Sequence, residues 1–335
     1  MNTAVKLLSS TAFMMGLALV ISLATNLSDI GRSDQWLDAT GRSNLTIFLL
    51  AAMLTVTMSR IPYRDLNPVK HWRSVLRALL LGLVIASLIP LAAYYILKDM
   101  ADYEDYAAGL IFLAATPFAA SVGPLSLIMR GDLEHALRST IIVYVVSLAW
   151  IPFIIWATLG ETVDMTKVII TVFELIGVPL VLSRLLTRFK IDRTVMSVVL
   201  NCIIAFLVWL SVSATNFERA GIVVLVVFMI VAALRDFGLG TGTEIVEKRL
   251  GISWSQRVTD ILMISYKNKG IAIALCTSVM TGPAIGNAMV PIAASIVVEI
   301  VWVAFMDSVL FSKKRMEKEL AADKAAGIRE AWEQA

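Results

Sequence analysis

Ile264-Ser265-Tyr266-Lys267-Asn268-Lys269-Gly270-Ile271 lies about midway along an otherwise apolar run from Arg257 to Thr281, and its reading decides the fold. A charge at mid-bilayer costs about 2.5–3.5 kcal/mol on insertion scales. About ten residues flank the lysines on either side, about 15 Å at helical rise, too far for a lysine stem to reach water. A shifted span boundary with snorkelling side chains is one reading. A polar interior site on a membrane helix is the other, and the distances favour it.

A second anomaly sits upstream in Leu113-Ala114-Ala115-Thr116-Pro117-Phe118-Ala119-Ala120-Ser121-Val122-Gly123-Pro124-Leu125-Ser126. Two prolines and a glycine inside a membrane helix remove backbone donors and disturb the preceding turn. The freed carbonyls need partners in protein or in a water-lined cavity. A simple bend would suffice, but Thr116, Ser121 and Ser126 beside the break point to a site.

The chain around these breaks is strongly apolar. Of its 335 residues 58% are hydrophobic and 16% charged, and the mean hydropathy is +0.80. A soluble domain carries roughly 25% charged residues, so the excess apolar surface needs lipid. About 20 apolar residues cross the hydrocarbon. On that rule ten spans are expected at about 5–25, 44–61, 75–97, 107–129, 137–159, 166–186, 195–215, 219–235, 257–280 and 285–311. The expected class is an all-α polytopic membrane protein, because no alternating pattern suggests a barrel.

The even-numbered loops and the C-terminal tail hold 21 Lys and Arg against 5 in the odd-numbered loops, which predicts a multi-pass protein with both termini cytoplasmic. Twenty-seven of the 29 basic residues are thereby expected outside the membrane core, all but Lys267 and Lys269. Lys6, the apolar stretch after it and Ser22-Leu23-Ala24 resemble a signal peptide, but the length and the spans that follow favour a first transmembrane helix. The tail, 312–335, reads as a solvated cytoplasmic extension.

The fourth and ninth spans are the fourth of each five if the chain divides near residue 162, giving halves of 1–160 and 161–311. Interrupted helices at matching positions in two halves point to a transporter site, and an odd number of spans per half would invert the second half. Glu174 and Glu299 lie within spans, with Asp260 and Asp307 nearer the cytoplasmic ends. A buried charge needs a partner, so Glu299 or Glu174 is expected to neutralise Lys267 or Lys269, or to take part in proton transfer; Glu174 capping a vestibule is the alternative. Gly238-Leu239-Gly240-Thr241-Gly242 lacks the Gly-Lys-Ser/Thr of a phosphate loop and reads as a turn. His71 and His135 fall in loops and Cys202 and Cys276 in apolar runs. No cofactor, metal or nucleic-acid partner is expected, and no catalytic constellation is visible.

Three stretches then resemble the bile acid:sodium symporter superfamily, which includes arsenite efflux permeases. They are Met58-Ser59-Arg60 with Lys70-His71-Trp72-Arg73-Ser74-Val75 and Ile89-Pro90-Leu91-Ala92; Pro117 through Met129-Arg130-Gly131-Asp132; and Asn268-Lys269-Gly270-Ile271-Ala272-Ile273-Ala274. The resemblance covers most of the chain. It implies ten helices in two inverted five-helix repeats, panel and core domains drawn from both, broken helices four and nine crossing near the midplane, and organic anions carried by alternating access.

The chain departs from the sodium-coupled members of that superfamily. It has Val122-Gly123 for their Ser-Asn pair, Ile85 for Gln, Ala136 for Ser, Met263 for Glu and Lys267 for Gln, although Thr140 keeps the matching Thr. Sodium wants several oxygen ligands, so Lys267 is expected to stand where that cation would sit. Phe118 replaces the permeases' cysteine, which argues against arsenite. The expected protein is a carrier of a small organic anion in the cytoplasmic membrane, sodium-independent or proton-linked. Thr116, Pro117, Ser121, Gly123, Pro124, Thr140, Lys267, Asn268 and Lys269 are its candidate substrate site, beside half-helix N-termini that suit carboxylates. A sodium-coupled symporter and a membrane-embedded ligand sensor are the alternatives.

Overall fold

Backbone groups in lipid must be satisfied within the chain, and the fold, given by a computed structural model, meets this with helices; among the described residues no strand forms. The structure describes residues 8, 11–59, 71–187, 192–215, 217–328 and 330. The start of the first expected span with Lys6, the 60–64 loop and the motif residues Arg60 and Lys70 lie outside the described residues.

The helices run in chain order as α1 (Thr11–Ser28), α2 (Ser33–Trp36), α3 (Ala39–Met58), α4 (Trp72–Leu97), α5 (Glu104–Ala115), α6 (Val122–Ile128), α7 (Leu133–Leu159), α8 (Met165–Leu186), α9 (Arg193–Val212), α10 (Ala220–Arg249), α11 (Trp254–Ser265), α12 (Lys269–Val279), α13 (Pro283–Leu310) and α14 (Lys313–Ala325). Seven of these, α3, α4, α7, α8, α9, α10 and α13, are long and apolar enough to cross a membrane. They coincide with seven of the ten expected spans. The expected first span is represented by the shorter apolar helix Gly16–Ser28 within α1. The fourth and ninth are each two half-helices, α5 with α6 and α11 with α12.

Two groups of helices are visible in the packing. α1 lies along α9, and α3 packs on α8. Asn26 ties α1 to the end of α9 by donating to the carbonyls of Val212, Ser213 and Thr215 at 3.2, 2.9 and 2.8 Å. In the other group α13 packs on α10 and α5, and α5 also on α4 and α7. α12 touches both groups, through α3 and α8 on one side and α13 and α5 on the other. Wide π turns interrupt α4 at Leu80–Ile85 and α10 at Leu234–Leu239.

Four expectations are corrected. The glycine-rich run 238–242 is helical, not a turn. Gly240 is required there by close approach: a Cβ would come within 2.4 Å of the Trp302 indole. Because α10 continues to Arg249, Arg235 is not a loop residue but 1% exposed within a helix, and Arg257 is fully buried in α11. His135 is likewise in a helix, the first turn of α7, and 2% exposed.

The described part of the tail, 312–328 and 330, is not a free extension but docks one face on the bundle. Met316 joins the apolar cluster around Trp254 and Val258. Arg257 meets Glu319 at 3.2 Å and Asp323 at 3.3 Å, and Lys248 meets Glu319 at 2.6 Å. Asp323 and Glu330 accept from the Trp254 backbone N–H at 2.9 and 3.2 Å, and Glu330 also from Ser255 at 3.1 Å. These carboxylates cap the positive end of α11. Burial alone would raise the Glu319 carboxyl, but its hydrogen bonds and charge contacts with Lys248 and Arg257 outweigh that and hold it below the ordinary carboxylate range.

Candidate functional site

Pro117 ends α5. The residue before a proline is pushed from helical to extended backbone, and Thr116 has φ −76° and ψ 147°. Its hydroxyl turns back onto the Leu113 carbonyl at 3.1 Å. Val122 restarts the helix with Pro124 in its first turn, where a missing N–H costs nothing. In the ninth span α11 ends at Ser265, and Asn268 caps α12 by accepting from the Ile271 N–H at 3.0 Å.

The two breaks cross. Ala119 N–H donates to the Tyr266 carbonyl and Asn268 N–H to the Pro117 carbonyl, both at 2.8 Å, around an antiparallel bridge of Phe118 with Lys267. Each unwound segment thereby satisfies backbone groups of the other, as a dry environment requires. Tyr144 of α7 fastens the knot: its hydroxyl donates to the Phe118 carbonyl at 3.1 Å and accepts from Asn268 Nδ2 at 2.7 Å.

Lys267 is 1% exposed. Its Nζ donates to the carbonyls of Thr116 (2.6 Å), Ala114 (3.2 Å) and Gly82 (3.3 Å) and to Ser87 Oγ (3.1 Å). Among the described residues no carboxylate lies within ion-pair distance of it. The Ala114 and Thr116 carbonyls belong to the C-terminal end of α5, which carries partial negative charge and lacks further helical donors; Ala114 also accepts from the Ser87 hydroxyl at 2.5 Å. The Gly82 carbonyl comes from the π turn of α4. Three carbonyls and a hydroxyl around one positive charge form the oxygen cage that a hard cation prefers.

Lys269 takes the other course. It forms an ion pair with Glu299 of α13 and lies 5.9 Å from the centroid of the Tyr266 ring. Arg235 and Asp236, joined at 2.5 Å and buried in the π turn of α10, are within electrostatic range of Lys269. Asp236 Oδ2 has no hydrogen-bond partner among the described residues. Ser121, Asn268, Lys269 and Glu299 line one side of a cavity of about 90 Å³, with Leu50, Met53, Ile204 and Leu207 of α3 and α9 on the other. At Gly270 the two helix groups touch, since a Cβ there would come within 2.4 Å of Leu50.

The expected site residues are therefore distributed. Ser121, Lys267, Asn268, Lys269 and Glu299 line the cavity, while Thr116 and Pro117 contribute carbonyls to the crossing. Gly123 packs against Leu137, and Pro124 is exposed. Thr140 is buried and donates to the Ala136 carbonyl of its own helix at 2.8 Å, away from the cavity. Glu174 is exposed on α8 and makes no ion pair with either lysine among the described residues. Asp307 is also exposed.

Ser87, Tyr144, Arg235 and Asp236 were not singled out in the sequence. Arg235 and Asp236 carried a signal, two charges next to an apolar run, but the glycines after them read as a turn. Asp260, expected only as a spare acid, instead ties α11 to α4 and α7, meeting Arg77 at 2.7 Å and His135 at 2.8 Å. Among the described residues no group of three His, Cys, Asp or Glu side chains is placed to hold a metal ion.

The family model described as the SBF-like CPA transporter family matches residues 11–310. No curated protein matches the chain.

Proposed function

The chain belongs to the SBF-like CPA transporter family, and on that premise we propose that it is a secondary transporter that moves a small organic anion by alternating access. Its membrane part is read as ten spans in two inverted repeats of five. Supporting this is the crossing of the fourth and ninth spans, each broken into two half-helices. The cell membrane with cytoplasmic termini is the location and orientation that the Lys and Arg distribution favours.

One observation carries the reading: the Lys267 ammonium sits among four oxygens at the crossing with no acidic partner among the described residues, as a bound cation would. The protein carries this charge covalently, so the crossing is charged before any ion arrives and transport needs no sodium. Lys269 is the group that meets the substrate. An entering carboxylate or sulfonate displaces Glu299 from Lys269, and the carboxylate left behind is neutralised by a proton because an unpaired charge is too costly there. Anion and proton then cross together. The cavity of about 90 Å³ is below the roughly 300 Å³ of a drug-sized pocket, so the occupant is a small acid or the headgroup of a larger one.

Uptake of an organic-anion panel into proteoliposomes under imposed sodium or proton gradients tests this. The expected result is accumulation driven by the proton gradient, unchanged when choline replaces sodium and lost in Lys269→Ala. Strict sodium dependence would overturn it. So would binding without uptake of every anion, which would identify a sensor.

A further inference from the structure

We propose that the bundle holds a second anion site, a vestibule at the end opposite the C-terminal helix, where Arg42, Ser211 and the N-terminus of α13 hold a carboxylate or sulfonate. Its binding chemistry is independent of the transport reading. Only the onward passage of the anion to the crossing rests on it.

The vestibule has a volume of about 190 Å³ and is bounded by α3, α9, α12 and the start of α13. Two buried donors in its wall have no partner among the described residues. Ser211 is 4% exposed, and its hydroxyl has no hydrogen-bond partner among the described residues. Ser22 and Ser147, by contrast, donate to the carbonyls four residues back at 2.5 and 2.7 Å; Ser295, elsewhere in the bundle, is the other buried serine left without a partner among the described residues. Arg42 Nε is also buried without a partner. A buried donor left unpaired is costly, and two in one cavity call for an acceptor. The third element is the start of α13: Gly282 provides no side-chain cap, so the positive end of a long helix is open to the vestibule.

Asp34 lines the same cavity, but both of its oxygens are held by Arg32, at 3.1 and 2.9 Å. Arg42 is within electrostatic range of Asp34 and Asp38 but forms an ion pair with neither among the described residues. The donors without a partner on this wall among the described residues favour an anion as the occupant. Ile273, 3% exposed, lines both this vestibule and the cavity at the crossing, and is the partition between them.

The test uses the full chain in detergent and needs no knowledge of the substrate. Cys202 is exposed and Cys276 buried, so Cys202→Ser gives a parent without an accessible thiol. Thr277→Cys in that parent puts a thiol on the vestibule wall. Its reaction rates with anionic sulfonatoethyl and cationic trimethylammonioethyl methanethiosulfonate are measured relative to those of a free thiol. The anionic reagent is expected to be preferred, Arg42→Gln to lower that preference about tenfold, and methanesulfonate to slow labelling only when Arg42 is present. A preference for the cationic reagent, a preference unchanged by Arg42→Gln, or labelling indifferent to methanesulfonate would each overturn the proposal. Ala214→Cys, on the same wall and part-buried, serves as the reporter should Thr277→Cys not purify as a monodisperse protein.

Discussion

Replacing Glu299 by Gln should reveal how the charge at the cavity is balanced. Glu299 is 2% and Lys269 6% exposed, and they form an ion pair. Removing one partner of such a buried pair costs about 3–5 kcal/mol, because the other charge is stranded rather than merely released. Asp236 still acts on Lys269, so Glu299→Gln should fall at the lower end and Lys269→Met at the upper. With an unfolding entropy of about 2.1 cal/mol/K per residue over 335 residues, 1 kcal/mol shifts the midpoint by about 1.4 °C, so each single variant should melt about 4–7 °C below the wild type. The double variant Lys269→Met/Glu299→Gln strands neither charge and should recover to within about 1–2 kcal/mol of the wild type. The assay is thermal unfolding in one detergent, with all four proteins forming a double-mutant cycle. Additive losses in the double variant, or single variants indistinguishable from wild type, would refute the pairing as a buried and balanced one.

Other expectations follow from the packing. Gly240→Ala drives a methyl into the Trp302 ring, whereas a Cβ at Gly238, two residues away, meets nothing within 4 Å; folded yield should fall for the first and hold for Gly238→Ala. Gly109→Ala is harsher, since its Cβ would lie 2.0 Å from the Ala288 carbonyl oxygen, and it should leave no monodisperse protein while Gly16→Ala purifies normally. Arg257→Ala leaves Glu319 and Asp323 of the C-terminal segment without their shared cation, and hydrogen exchange in 313–325 should rise at least tenfold. Glu319 is held below its ordinary range, so its docking contribution is complete above the unfolded carboxylate pKa of about 4.3. It is lost only as pH falls through the lower folded value. The Glu319 contribution to the protection factor of α14, the exchange rate divided into its intrinsic value at each pH, should therefore hold from pH 8 to 5 and fall below about 4; a Glu319-dependent loss of protection at pH 6, absent in Glu319→Gln, would contradict that sign.

The breaks were legible because they violate membrane chemistry: Pro117 and Pro124 in one apolar run and two lysines in another leave no ordinary helix available. What holds Lys267 was not legible, because its partners are mainly backbone carbonyls, which every residue carries and no sequence marks. Arg235 and Asp236 were missed for the opposite reason. Gly238, Gly240 and Gly242 look like a turn, yet Gly240 is small to admit an indole, and the helix runs on. The docked tail was hidden by its composition. Its acids read as solvated until Arg257 and the open end of α11 supply what buries them. Of the two acids proposed as partners, sequence could not choose between Glu174 and Glu299; burial does, with Glu174 exposed and Glu299 beside Lys269.

Binding of radioactive sodium to the purified protein, wild type beside Lys267→Ala, bears most directly on the oxygen cage at the crossing. The wild type should bind none at this position, because the ammonium fills it. Lys267→Ala, with the Gly82, Ala114 and Thr116 carbonyls and Ser87 relieved of the ammonium and Ala114 keeping the Ser87 hydroxyl as donor, should gain one saturable site. Saturable sodium binding by the wild type that Lys267→Ala abolishes would contradict the account.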